Sequence, residues 1–101
     1  MTQLNRDRQS HLSRVCNVRE TTSYKVLEKA TRDPYSTTRR AAAANHAMTY
    51  DLLLVTLFDE DASVSMATVR NPGMTPDLFQ MALTSPHECV RLFAQKSLTS
   101  V

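Results

Sequence analysis

Thr49-Tyr50-Asp51-Leu52-Leu53 aligns without a gap on Thr75-Pro76-Asp77-Leu78-Phe79, 26 residues further on, and on Ser23-Tyr24-Lys25-Val26-Leu27, 26 residues back. Each stretch opens with a hydroxyl residue and carries apolar residues at its fourth and fifth places. The offset holds outward from there. Asn45 meets Asn71, Asp33 meets Asp59 and then Ser85, and Asp7 lies one period before Asp33. Self-similarity at a fixed period of this size is the mark of a stacked array, because one small unit cannot bury its apolar face alone.

Each period holds two helix starts. Pro76 follows Thr75, Pro34 follows Asp33 and Pro86 follows Ser85. Proline suits the first helical position, where its missing N–H would have no intrahelical partner, and the preceding Thr, Asp or Ser can cap the turn. Ser85-Pro86-His87-Glu88 also has the capping-box pattern. By correspondence, Ser23 and Thr49 start one set of helices, and Asp7 and Asp59 the other. The pattern predicts seven short helices near 8–18, 24–32, 34–44, 50–58, 60–70, 76–84 and 86–97. Asn45 and Asn71 suit the left-handed residue that ends a helix.

Apolar positions recur at spacings of three and four, which gathers them on one helix face. The first helices offer Val26-Leu27-Ala30, Leu52-Leu53-Leu57 and Leu78-Phe79-Leu83. The second helices offer Leu12-Val15-Cys16, Ala41-Ala44, Val64-Ala67 and Val90-Phe93-Ala94. The alanine run Ala41–Ala44 allows close helix approach. The expected fold is all-α: a short right-handed α-solenoid of about three and a half 26-residue helix-pair repeats. It forms a single domain over 1–101, with a half repeat at 1–18 and units at 19–44, 45–70 and 71–98.

Ala44-Asn45-His46 and Arg70-Asn71-Pro72, followed by the two Thr-to-Leu/Phe stretches quoted above, resemble leucine-rich repeat variants, a family of right-handed helical solenoids akin to HEAT repeats. Asp59-Glu60-Asp61 and Val90-Arg91 add to the likeness, which covers roughly residues 13–98. The first unit departs from it, with Arg19-Glu20 where Asn-Pro would stand. The resemblance implies that some short helices are 3₁₀. It implies no single function, since the family has none.

Composition narrows the function classes. The chain has 101 residues, of which 42% are apolar and 22% charged, the values of a soluble globular domain. The longest apolar run is Leu52-Leu53-Leu54-Val55, far short of the ~20 residues that a membrane-spanning helix needs. The polar N-terminus carries no signal-peptide pattern, so the expected location is the cytoplasm, away from the membrane. A single glycine, Gly73, argues against glycine-rich phosphate loops. Cys16 and Cys89 form no CxxC pattern and read as two reduced, buried thiols.

Residues suited to catalysis or metal binding are explained locally. His11, His46 and His87 fall in different phases of the repeat without metal-ligand spacing, and read as surface or helix-end histidines. Asp33 and Asp59 read as caps, while Asp51 and Asp77 sit in first turns, where the helix dipole favours negative charge. Asp59-Glu60-Asp61 lacks the ligand loop of a calcium site. No catalytic residue, cofactor or metal is implied, and the expected role is non-enzymatic.

Charge carries more information. Residues 1–50 hold nine Lys/Arg against four Asp/Glu, a balance of +5, and residues 51–101 hold three against six, a balance of −3. Stacking places Arg14, Arg39 and Arg40 on one basic ridge. The leading expectation is a protein–protein interaction module that meets another protein, an acidic one by charge, at such a surface. The alternative is a nucleic-acid-binding helical repeat that uses the same ridge.

Tyr24 and Tyr50 correspond and read as half-buried spacers against the next repeat. Phe58, Phe79 and Phe93 read as core, and Met48 and Met74 as residues stapling loops to helices. The final helix carries Val90, Leu92, Phe93 and Leu98. A solenoid end with such side chains and no covering helix predicts a homodimer through those four residues.

Overall fold

The structure, a computed structural model, describes residues 2–99, with side chains from residue 11 onward. Of the expected domain 1–101, Met1, Ser100 and Val101 lie outside the described residues. Among the described residues there are seven helices and no strand: α1 Thr2–Glu20, α2 Tyr24–Ala30, α3 Ser36–Ala43, α4 Tyr50–Leu57, α5 Ala62–Val69, α6 Pro76–Ala82 and α7 Glu88–Thr99.

The first helices begin where the hydroxyl residues predict. Ser23 caps α2 through the Val26 N–H, and Thr75 caps α6 through the Leu78 N–H with Pro76 at the first position. Thr49 precedes α4, but its hydroxyl donates to Asp51 instead of capping the backbone. The second helices begin later than proline suggests, at Ser36, Ala62 and Glu88. The cause is a turn held by a side chain. Asp33 Oδ1 accepts from the Tyr35 N–H at 2.9 Å, Asp59 Oδ1 from the Asp61 N–H at 2.9 Å, and Ser85 Oγ from the His87 N–H at 3.1 Å. Asp, Asn and Ser form such local bonds readily, and these bonds compete with a helical first turn. Asp61, not Asp59, caps α5. Asp7 lies inside α1 and does not stand at a helix start.

Alternate helices stack side by side. α3 packs between α1 and α5, α5 packs between α3 and α7, and α4 and α6 lie on α5 and α7. The result is an elongated body of 52 × 25 × 18 Å. Leu27, Leu53, Leu57, Leu78, Val64, Val69 and Val90 are fully buried between the two layers. Ala42 and Ala43 are also fully buried, so α3 approaches its neighbours closely. Three corresponding pairs are buried in successive helix pairs: Ala30 and Ala42, Thr56 and Thr68, and Ala82 and Ala94. The central pair is polar and self-satisfied: Thr68 Oγ1 donates to Thr56 Oγ1 at 2.8 Å.

The asparagines do not end helices in the left-handed conformation, since no described residue has a positive φ. They are buried brackets. Asn45 Nδ2 donates to the Val18 and Thr21 carbonyls, both at 2.8 Å, while its Oδ1 accepts from the Ala47 N–H. Asn71 Nδ2 donates to the Ala43 carbonyl at 2.8 Å and the Asn45 carbonyl at 2.9 Å, and its Oδ1 accepts from the Gly73 N–H. Each asparagine thus ties its own loop to the preceding one.

Several expected core residues lie outside the core. Cys16 and Cys89 are free and exposed. Leu12 is exposed as well, and α1 is anchored through Val15 and Val18 instead. Cys89 sits in the first turn of α7, at the place that Ser63 takes in α5. Phe58 is 43% exposed, while Phe79 and Phe93 pack at the edge of the core. Met48 is buried in its loop and Met74 partly so.

Candidate functional site

The three arginines of the expected ridge have different fates. Arg39 is turned inward and is 13% exposed. Its guanidinium bridges Asp59 at 2.8 Å and donates to the Asp33 carbonyl at 2.8 Å and the Pro34 carbonyl at 3.2 Å. Ser65 and Arg91, at the corresponding places, do the same: Ser65 Oγ donates to the Asp59 carbonyl at 3.1 Å and Arg91 to the Ser85 carbonyl at 2.7 Å. A side chain at this position therefore clamps the turn that precedes its own helix, six residues back. Arg14 pairs with Asp33 at 3.0 Å and lies over the Tyr35 ring at 5.7 Å. Arg40 stays exposed, with one long bond to the Ser63 hydroxyl at 3.4 Å. No single ridge presents all three.

A groove forms instead where α1 runs beside α3. Two open depressions of 620 and 450 Å³ share Arg19, Ala41 and Ala44 and continue into each other. Leu12, Val15, Ala41 and Ala44 give the groove an apolar floor, and His11, Arg19, Glu20, Arg40 and His46 line its walls, two guanidinium groups against one carboxylate. The alanines make the depression possible: a larger side chain at either place would fill it. His11 holds one wall in place through the Thr37 hydroxyl at 2.9 Å and packs on Tyr35 with ring centroids 4.4 Å apart. Only Arg40 of the expected ridge lines this groove. Arg19, absent from the sequence expectation, belongs to it. Its signal was the departure from the Asn-Pro pattern at Arg19-Glu20.

A second constellation runs along the ends of the first helices. Tyr24 donates through its hydroxyl to Asp51, and Tyr50 to Asp77, while Thr49 and Thr75 donate to the same two carboxylates. The tyrosines are thus exposed links to the following helix pair, not half-buried spacers. The threonine hydroxyls first, and then the tyrosines, hold both carboxyls below the usual Asp range. The same hydrogen bonds, with some loss of hydration, push the Tyr24 and Tyr50 phenols up. Hydrogen bonding from Ser63 lowers Asp61. These groups hydrogen-bond to one another across successive helix pairs.

The histidines stay apart: His46 is exposed, and His87 Nε2 lies 2.8 Å from the Asp59 carbonyl, joining α7 to the turn before α5. Among the described residues no three His, Cys, Asp or Glu side chains gather into a possible metal site. No helix among them is long and apolar enough to cross a membrane. Of the residues expected at a dimer interface, Val90 is fully buried within the chain and unavailable to a partner. Phe93 and Leu98 are half-buried, and Leu92 is exposed.

No family model, curated protein or solved structure matches the chain.

Proposed function

We propose that the chain is a non-enzymatic protein-binding module that receives an acidic, partly apolar segment of another protein in the α1/α3 groove. The observation that carries this reading is the composition of the groove: an apolar floor of Leu12, Val15, Ala41 and Ala44 between walls in which Arg19 and Arg40 outnumber the one carboxylate, Glu20. Apolar surface supplies affinity and flanking charge supplies selection and rate, a combination suited to an amphipathic acidic segment. The finer architecture proposed is a right-handed α-solenoid of about three and a half 26-residue helix pairs, similar to leucine-rich repeat variants. The bonds of Asn45 and Asn71, and of Arg39, Ser65 and Arg91, at corresponding places support it. Arrays of this kind bind through extended surfaces. The nucleic-acid alternative loses support because Arg14 and Arg39 are paired with Asp33 and Asp59.

Fluorescence anisotropy with a labelled peptide rich in Glu and Leu tests the reading. The peptide binds saturably, binding weakens as salt rises, and the double variant Arg19→Glu, Arg40→Glu lowers affinity by about tenfold or more without changing the melting temperature. Absence of peptide binding, or tighter binding of a duplex or single-stranded DNA probe, refutes it.

A further inference from the structure

The helices α2, α4 and α6 share an outer face. Positions 25, 28, 29 and 32, on α2 and the turn that ends it, recur as 51, 54, 55 and 58 on α4 and as 77, 80, 81 and 84 on α6. That spacing gathers each set on one side of its helix. Leu27, Leu53 and Leu78 are buried on the other side, whereas every residue of the three sets is exposed or partly exposed. The Tyr24 hydroxyl donates to Asp51 and the Tyr50 hydroxyl to Asp77, which ties the three helices into one row.

The chemistry of the face changes along that row. At α2 it presents Lys25, Lys29 and Arg32 against Glu28, a balance of +2. At α4 it presents Leu54, Val55 and Phe58, with Val55 53% and Phe58 43% exposed. At α6 it presents Met81, also exposed, among Gln80, Thr84 and the single charge of Asp77. Apolar side chains are thus left in water at the middle of the face, with cations at one end and an anion at the other. The whole chain repeats the polarity, +5 over residues 1–50 and −3 over residues 51–101. Such a face complements itself when its order is reversed. A two-fold axis parallel to α4 does this: it sets α4 on α4 of a second copy and α2 on α6. The other axis in the plane sets α2 on α2, cations against cations, and charge therefore selects the first. An anionic lipid surface is matched by the α2 end only.

We propose that the chain pairs with a second copy of itself through this face, Val55 and Phe58 packing on the same residues of the second copy and Lys25 standing opposite its Asp77. Burial of the exposed apolar side chains drives the pairing, and the charges at the two ends fix its orientation. Asp51, the charge nearest the axis, is drawn off it toward α2 by the Tyr24 hydroxyl. The face shares no residue with the α1/α3 groove, and it is distinct from the end of the chain that carries Leu92.

Sedimentation equilibrium of the full chain tests the proposal, with circular dichroism to establish that each variant is folded. The parent chain gives a dimer mass as concentration rises. Val55→Lys and Phe58→Lys each raise the dissociation constant by about tenfold or more, and Val55→Lys decides alone if Phe58→Lys fails to fold. Lys25→Glu raises it by about three- to fivefold at low salt, the scale of an exposed ion pair. Leu92→Lys, exposed on α7, leaves it unchanged. In a Cys16→Ser, Cys89→Ser chain treated with copper phenanthroline, Val55→Cys forms a cross-linked dimer and Leu92→Cys does not. A monomer mass up to about 0.5 mM chain overturns the proposal. So does a dimer that survives Val55→Lys, or one that Leu92→Lys splits. Equal affinity in Lys25→Glu overturns the reversed order of the row. A chain that stays monomeric but sediments with phosphatidylserine–phosphatidylcholine vesicles overturns the proposal in favour of a lipid surface.

Discussion

The side-chain amide of Asn71 donates to the backbone carbonyl of Asn45 at 2.9 Å, and Asn45 in turn donates to the carbonyls of Val18 and Thr21. Two loops and the end of α1 are thereby joined through buried amides. Each amide satisfies carbonyls that helix geometry leaves without intrahelical partners.

Asn71→Ala leaves the Ala43 and Asn45 carbonyls and the Gly73 N–H without these partners in a buried place. The expected loss is about 2–3 kcal/mol, from the cost of unsatisfied buried polar groups. Urea denaturation followed by circular dichroism measures it. A midpoint equal to that of the parent chain would show that water replaces the amide without penalty.

Arg39 and Arg40 are neighbours in sequence with opposite expected effects. Arg39→Ala strands Asp59 and frees the turn at Asp33 and Pro34, with an expected loss of about 3 kcal/mol. Arg39→Lys recovers less than half of this, because an ammonium cannot span the carboxylate and both carbonyls in one plane. Arg40→Ala stays within about 0.5 kcal/mol of the parent chain. Thermal and urea melts of the three variants decide it, and similar losses at 39 and 40 would contradict the observed burial.

Leu53 is 1% exposed in the centre of the molecule, whereas Val55, two residues on, is 53% exposed. Leu53→Ala is expected to lose about 2–5 kcal/mol by emptying packed space. Val55→Ala is expected to change stability by no more than about 0.5 kcal/mol. Chemical denaturation of both variants distinguishes them.

The Tyr24–Asp51 and Tyr50–Asp77 links predict a stability that weakens at both extremes of pH. The carboxyls are lowered in the folded chain, so their contribution is present above the ordinary Asp value of 3.8 and is lost as pH falls through the lowered folded value. The phenols are raised, so their contribution is present below the ordinary value of 10.0 and is lost as pH rises through the raised folded value. The double variant Tyr24→Phe, Tyr50→Phe flattens the alkaline limb of a stability-versus-pH curve and softens the acid limb. Asp51→Asn with Asp77→Asn flattens the acid limb more. Unchanged slopes in both would show that other groups govern the pH response.

Local chemistry was legible wherever a residue acts on its own helix. Ser23 and Thr75 cap the helices that they precede, and Leu27, Leu53 and Leu78 lie on the buried face that their spacing defines. Asp33, Asp59 and Ser85 were visible as residues that organise a helix entrance, but each stands three residues before the helix and builds a turn that leads into it. A cap and an Asx turn use the same side-chain oxygen, and sequence alone does not distinguish them when proline follows.

Sequence by itself determined that the chain is helical, where its first helices start and which face of each is apolar, because capping and amphipathic spacing act within one or two turns. Tertiary structure alone decided the rest. It turned Arg39 inward to Asp59, 20 residues away in sequence, left Cys16 and Phe58 exposed, brought Arg19 beside Ala41 and Ala44, and buried the Thr38 hydroxyl without a partner. Each of these depends on the groups that a neighbouring helix presents across the interface. That geometry comes from the packing of distant segments, which no local pattern of residues encodes.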